Sequence, residues 1–98
     1  MGFRNAKKQV LECLDNGHIQ HVLERSNIDV KNRLATGEVS ADQIANIIRR
    51  ARGSHYESSL HHFDESIEVH IITIRHGGQR WYIKWYYLEP DVVFISVH

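Results

Sequence analysis

Ile67-Glu-Val-His-Ile-Ile-Thr-Ile-Arg75, Arg80-Trp-Tyr-Ile-Lys-Trp-Tyr-Tyr-Leu88 and Val92-Val-Phe-Ile-Ser-Val97 are the runs that decide the fold. β-Branched and aromatic residues dominate all of them, and the turn formers fall between them, as His76-Gly-Gly-Gln79 and Glu89-Pro-Asp91. Runs of this kind read as strands joined by hairpin turns, so an antiparallel meander is expected here. Pairing Arg75 with Arg80 across a four-residue loop sets Ile74 opposite Trp81, Thr73 opposite Tyr82, Ile72 opposite Ile83 and Ile71 opposite Lys84. Pairing Leu88 with Val92 across a three-residue loop sets Tyr86 opposite Phe94, Lys84 opposite Ser96 and Tyr82 opposite His98. Strand side chains alternate between faces, so these registers sort the residues into two sets. Ile72, Ile74, Trp81, Ile83, Trp85, Val93, Ile95 and Val97 form the face expected to receive helices. Thr73, Arg75, Arg80, Tyr82, Lys84, Ser96 and His98 form the other.

Upstream of Gly53 the period is helical. Ala6, Val10, Cys13 and Leu14 recur at helical spacing after the candidate cap Asn5, and Gly17 suits the left-handed stop, which predicts a helix over Ala6–Asn16. Ser40 and Gln43 make a capping box ahead of the stripe Ile44, Ile47, Ile48 and Ala51, with Arg49, Arg50 and Arg52 in the last turn, where the helix dipole favours cations. Residues 18–25 fit a short helix or an edge strand. Val30 to Leu34 reads as a helical turn ended by Gly37, and residues 55–63 as a further strand of open register. The fold class is therefore α+β, a single domain over 1–98: a helical half, 1–53, packed on one face of a β-meander, 54–98.

Composition narrows the function classes. At 42% apolar and 24% charged residues, the 98-residue chain is neither disordered in type nor a membrane protein. It has no apolar run of the roughly 18 residues that a span needs. No apolar stretch follows Met1 to Lys8, so no secretory signal is expected, and the single Cys13 fits a reducing, cytoplasmic location. The net charge of zero hides an asymmetry: residues 1–53 carry nine Lys/Arg against six acids, and residues 54–98 the reverse balance, three against six. Charge alone neither demands nor excludes a nucleic acid partner.

The polar sheet face carries the chemistry. Cleavage of RNA by its own 2′-hydroxyl needs a base for that hydroxyl, an acid for the departing 5′-oxygen and cations for the charge gathering on phosphorus, and it needs no cofactor. His98, Tyr82 and Lys84 are the candidate catalytic residues. Arg80 and Arg75 are the candidate backbone contacts, joined by Tyr56 and His61 from the 55–63 segment, and exposed tyrosines can stack on bases. A metal reading of His61, His62, Asp64 and His70 is the weaker one, since adjacent strand residues point apart and no paired cysteines accompany them. His70 falls beside Trp85 on the core face and reads as a buried, hydrogen-bonded histidine.

Helices leading into a cationic, aromatic meander resemble the small bacterial toxins of the RelE and MqsR type, and MqsR most closely. The likeness rests on Tyr56 with Ser58, on Gly78-Gln79 leading into Tyr82-Ile83-Lys84, and on the closing Val-Val-Phe-Ile-Ser strand, in a chain of similar length. The resemblance implies a metal-independent endoribonuclease that cleaves mRNA and is held inactive by an antitoxin from an adjacent gene. It implies functional roles for Tyr82 and for the basic position at the end of the last strand, here His98. Two departures stand out: the family lysine after the first tyrosine is Glu57 here, and the Lys-rich tail is missing. A group of small bacterial domains with an H-x-x-x-R motif is similar through His21 and Arg25. The alternative class is a non-catalytic protein- or RNA-binding module that uses the same face.

Overall fold

The Gln43 N–H donates to the Ser40 hydroxyl at 3.2 Å, and the Ser40 N–H donates to the Gln43 side-chain oxygen at 2.9 Å, so the capping box closes. The helix it starts is α2 (Ala41–Arg50), preceded by α1 (Phe3–Asn16), in a computed structural model that describes residues 2–22, 32–61 and 64–98. α2 buries Ile44, Ala45, Ile47 and Ile48, and it ends at Arg50, so Arg52 lies beyond the last turn. α1 ends as expected at Gly17, whose φ of 74° is a left-handed conformation that a β-carbon would penalise. It begins earlier than expected, at Phe3 with Gly2 as N-cap rather than Asn5. The extra turn is held by tertiary packing, since the Phe3 ring meets the Tyr56 ring at 5.3 Å.

The strands are β1 (Ile19–His21), β2 (Tyr56–Leu60), β3 (Glu68–His76), β4 (Gln79–Leu88) and β5 (Asp91–Val97), in the spatial order β1-β5-β4-β3-β2. The meander is antiparallel throughout, but β1 runs parallel to β5, which makes the sheet mixed. The 18–25 segment thus contains an edge strand, while positions 23–25, and with them the Arg25 half of the H-x-x-x-R motif, lie outside the described residues. Val30 does too. Asn32 makes a parallel bridge to Val97, and a turn follows that closes at Gly37, φ 81°. The buried Asn32 amide donates to the carbonyls of Val22 and Phe94 at 2.8 and 3.0 Å, so it satisfies backbone acceptors at the edge of β5. Residues 62 and 63 of the expected 55–63 strand lie outside the described residues.

The β3–β4 ladder has the expected register, Arg75 against Arg80 and Ile72 against Ile83, and continues to His76 against Gln79 around Gly77-Gly78. The β4–β5 ladder corrects the reading. Leu88 pairs with Asp91, not Val92, and Tyr86 with Val93, not Phe94. Between Trp85↔Phe94 and Lys84↔Ser96 the register then shifts by one residue, a β-bulge that places Ile95 as the extra residue. The shorter turn and the bulge compensate, so Lys84↔Ser96 and the Tyr82–His98 pairing stand as expected. Their effect on β5 is to turn Val92 and Phe94 toward the helices, where Val93 and Ile95 were expected, while Val97 faces the helices as expected.

The main core lies between helices and sheet: Val10, Leu14, Ile44 and Ile48 meet Ile72, Ile83, Trp85 and Phe94. A second, smaller cluster of Val69, Ile71 and Ile95 lies on the opposite face, with Tyr82 and Tyr86 packed against it. Among the described residues no helix is long and apolar enough to cross a membrane.

Candidate active site

Tyr82 and His98 are brought together by the sheet itself. The Tyr82 N–H donates to the His98 carbonyl at 2.7 Å, the His98 N–H donates to the Tyr82 carbonyl at 3.1 Å, and the two rings stack at 5.2 Å and 21°. Lys84, two positions along β4 on the same face, is paired with Ile71 on one side and Ser96 on the other. Arg80, two positions the other way, is paired with Arg75. His61 meets the Tyr86 ring edge-on at 5.1 Å, so it belongs to this face at its far end. Lys84 therefore stands between two aromatic–imidazole pairs, Tyr82 with His98 and Tyr86 with His61.

The charge asymmetry of the sequence becomes spatial here. All three Lys/Arg of residues 54–98, Arg75, Arg80 and Lys84, lie on this one face. Five of the six acids of the same segment, Asp64, Glu65, Glu68, Glu89 and Asp91, lie in or beside the β2–β3 and β4–β5 connections, at the opposite end from the Gly77-Gly78 turn. A chain of zero net charge thus presents a polarised sheet, and such a field guides an anion toward the cationic end. The exception is Glu57, which pairs with Ile71 and so shares a row with Lys84. Burial pushes the Tyr82 phenol above its ordinary value, and the Glu57 carboxylate adds to the rise, so Tyr82 keeps its proton at neutral pH. A phenol in that state can donate a hydrogen bond but is poorly placed to serve as a base.

Tyr56 stands apart from the other candidates. Its pairing with Ile72 turns it to the helix face, where its hydroxyl lies 2.7 Å from His70 Nδ1. Burial raises the Tyr56 phenol above its ordinary value, and in the tautomer that keeps the His70 proton on Nε2, toward Glu68 3.9 Å away, the phenol donates and Nδ1 accepts. His70 is the buried, hydrogen-bonded histidine beside Trp85 that its position suggests, with the rings 5.6 Å apart. Its burial also pushes its pKa down, against the opposing pull of Glu68. The unfolded chain then binds a proton below about pH 6.5 that the folded chain refuses, so stability should fall as pH drops through that value, with a slope of at most roughly 1.4 kcal/mol per pH unit. Urea titrations between pH 7.5 and 5 should show this decline, and His70→Gln should flatten it.

The histidines of the metal reading are separated: His61 faces the cationic side, His70 the helices, and His62 lies outside the described residues. Among the described residues no group of three or more His, Cys, Asp or Glu side chains is placed to hold a metal ion. No motif or spacing in the sequence points to His55. The 3-10 turn Gly53–His55 sets it beside Thr73, Arg75 and Arg80, where these residues line an open depression of about 460 Å³. No local pattern marks it, because its neighbours come from β3 and β4.

The fold and face together define an α+β domain with a cationic, aromatic sheet surface closed by an imidazole. Compared with models of known protein families and with curated proteins, the chain gives no match.

Proposed function

We propose that this chain is a metal-independent endoribonuclease toxin that cleaves mRNA in the cytoplasm by 2′-hydroxyl attack and is restrained by an antitoxin from an adjacent gene. The observation that carries the reading is the stacked Tyr82–His98 pair on a face that also holds Lys84, Arg80 and Arg75. His98 exchanges the proton, either taking it from the attacking 2′-hydroxyl or giving one to the departing 5′-oxygen. Tyr82, held as a phenol, donates to a phosphoryl oxygen. Lys84 and Arg80 offset the charge that builds on the phosphate as the new oxygen bond forms. Fixed donors and cations of this kind act without reorganising, which is where most of their advantage over water arises.

Glu57 supports a second reading. A carboxylate in the Lys84 row repels the phosphates that the rest of the face attracts, as suits a non-catalytic module that binds RNA or protein through the same residues. Incubating purified protein with RNA in the presence of a chelator, and inducing its expression in bacteria with and without the adjacent gene, separates the two. The toxin reading expects 2′,3′-cyclic phosphate ends and growth arrest that the adjacent gene relieves. Intact RNA and normal growth would reject it.

A further inference from the structure

Arg75 and Arg80 are direct cross-strand partners, yet among the described residues neither makes an ion pair or a hydrogen bond with a carboxylate. Like charges set opposite each other on a sheet destabilise it, so a bare arginine pair costs the fold something that an anion would offset. The depression beside them is lined by His55, Thr73, Ile74, Arg75 and Arg80, with no acidic residue among them. The Arg52 N–H donates to His55 Nδ1 at 2.9 Å, which puts the imidazole proton on Nε2. His55 therefore has an Nε2–H donor beyond that bond. Two guanidiniums, a hydroxyl and an imidazole N–H make a donor set suited to phosphate oxygens, which planar guanidinium groups can bind in pairs.

The position of this depression is as informative as its chemistry. Its Arg75–Arg80 row lies one alternate-residue step, roughly 6.7 Å, from the Thr73–Tyr82 row, and Tyr82 stacks on His98. We propose that the Arg75–Arg80–His55 depression is a second phosphate subsite, holding the phosphate next to the scissile one in single-stranded RNA. Its adjacency to a scissile phosphate rests on the ribonuclease reading; the phosphate-binding site does not. The subsite makes a trinucleotide, with two phosphates, a better substrate than a dinucleotide with one, and it fixes which linkage meets His98.

The test is binding of a short labelled oligodeoxythymidylate, which lacks the 2′-hydroxyl and so cannot be cut by that route, to the intact protein and to Arg75→Gln/Arg80→Gln and His55→Ala variants. The double variant should bind about tenfold more weakly at low salt, since a charge-assisted contact is worth at least one such factor. Its plot of log affinity against log salt should be shallower by about 0.7 for the phosphate no longer held. His55→Ala should weaken binding without that change in slope, because the ring contributes a neutral Nε2–H donor. An unchanged slope and affinity in the double variant overturns the proposal, as does the absence of binding by the parent protein, or equal displacement of the oligonucleotide by polyglutamate of the same charge. Binding that behaves as expected in a protein that cuts no RNA keeps the subsite and removes the ribonuclease reading. Cleavage with no preference for a trinucleotide over a dinucleotide does the reverse.

Discussion

Replacing His98 by alanine should slow RNA cleavage by about 10²–10⁴, the usual worth of a positioned acid or base, while leaving the fold in place. The side chain is exposed at the end of the sheet, so its loss removes little packing. Oligonucleotide binding should fall far less than turnover, because Arg75, Arg80 and Lys84 remain to hold the phosphates. Placing a deoxynucleotide 5′ to the cut should abolish cleavage by the parent protein, since the attacking hydroxyl is then missing. Initial rates on a short labelled RNA, with thermal melts of both proteins alongside, measure each of these. A variant that cuts as fast as its parent removes His98 from the chemistry. One that melts well below its parent makes the role structural.

Trp85→Ala should destabilise the fold by about 3–5 kcal/mol, a large part of the 5–15 kcal/mol that holds a typical domain. Trp85 is fully buried between His70, at 5.6 Å, and Phe94, at 6.3 Å, so truncation opens a cavity in the middle of the main core. For a chain of this length that loss lowers the melting temperature by roughly 15 °C or more. Trp85→Phe should cost much less. The indole N–H is buried with no hydrogen-bond partner among the described residues, so removing it also removes an unmet desolvation cost, which partly offsets the smaller ring. Urea midpoints for both variants give the comparison, and equal losses would show that the indole nitrogen contributes nothing unfavourable. Trp85 is next to the bulge, so the alanine variant should also loosen Lys84.

The parts of the fold legible in the sequence are those specified locally. Gly77 and Gly78, at φ 63° and 76°, take the conformation that a tight hairpin needs, and the alternation on either side of them fixes the β3–β4 register. Ser40 and Gln43 sit three apart and find each other without outside help. The β4–β5 register was less legible because Val92, Val93, Phe94 and Ile95 are all apolar, so alternation no longer says which pair faces the helices. Both faces of the sheet bury side chains there, and the second cluster of Val69, Ile71 and Ile95 is the reason. β1 has three residues and pairs in parallel with a strand about 70 positions away, which no local signal reports. The site followed the same division. Tyr82, Lys84, Arg80 and Arg75 share a face by strand parity alone, and His98 joins them because two errors in the expected register cancel. Tyr56 was legible as a strand residue but not as a helix-face one, since Tyr-Glu-Ser-Ser-Leu has no alternation to orient it. His55 gains its neighbours only from tertiary structure.

The bulge at Ile95 gives the end of β5 a tolerance for one residue lost that it does not have for one residue gained. Losing Ile95 would leave Phe94, Ser96, Val97 and His98 to pair one for one with Trp85, Lys84, Ile83 and Tyr82, so the imidazole would stay where it is, whereas gaining a residue between Ser96 and His98 would carry it past Tyr82 to the helix side, opposite Trp81. Descendants of such a gene can therefore shorten this strand by one residue at the bulge, but not lengthen it beyond the bulge, and keep the site. A one-codon insertion beyond the bulge would silence the site and leave most of the core as it was.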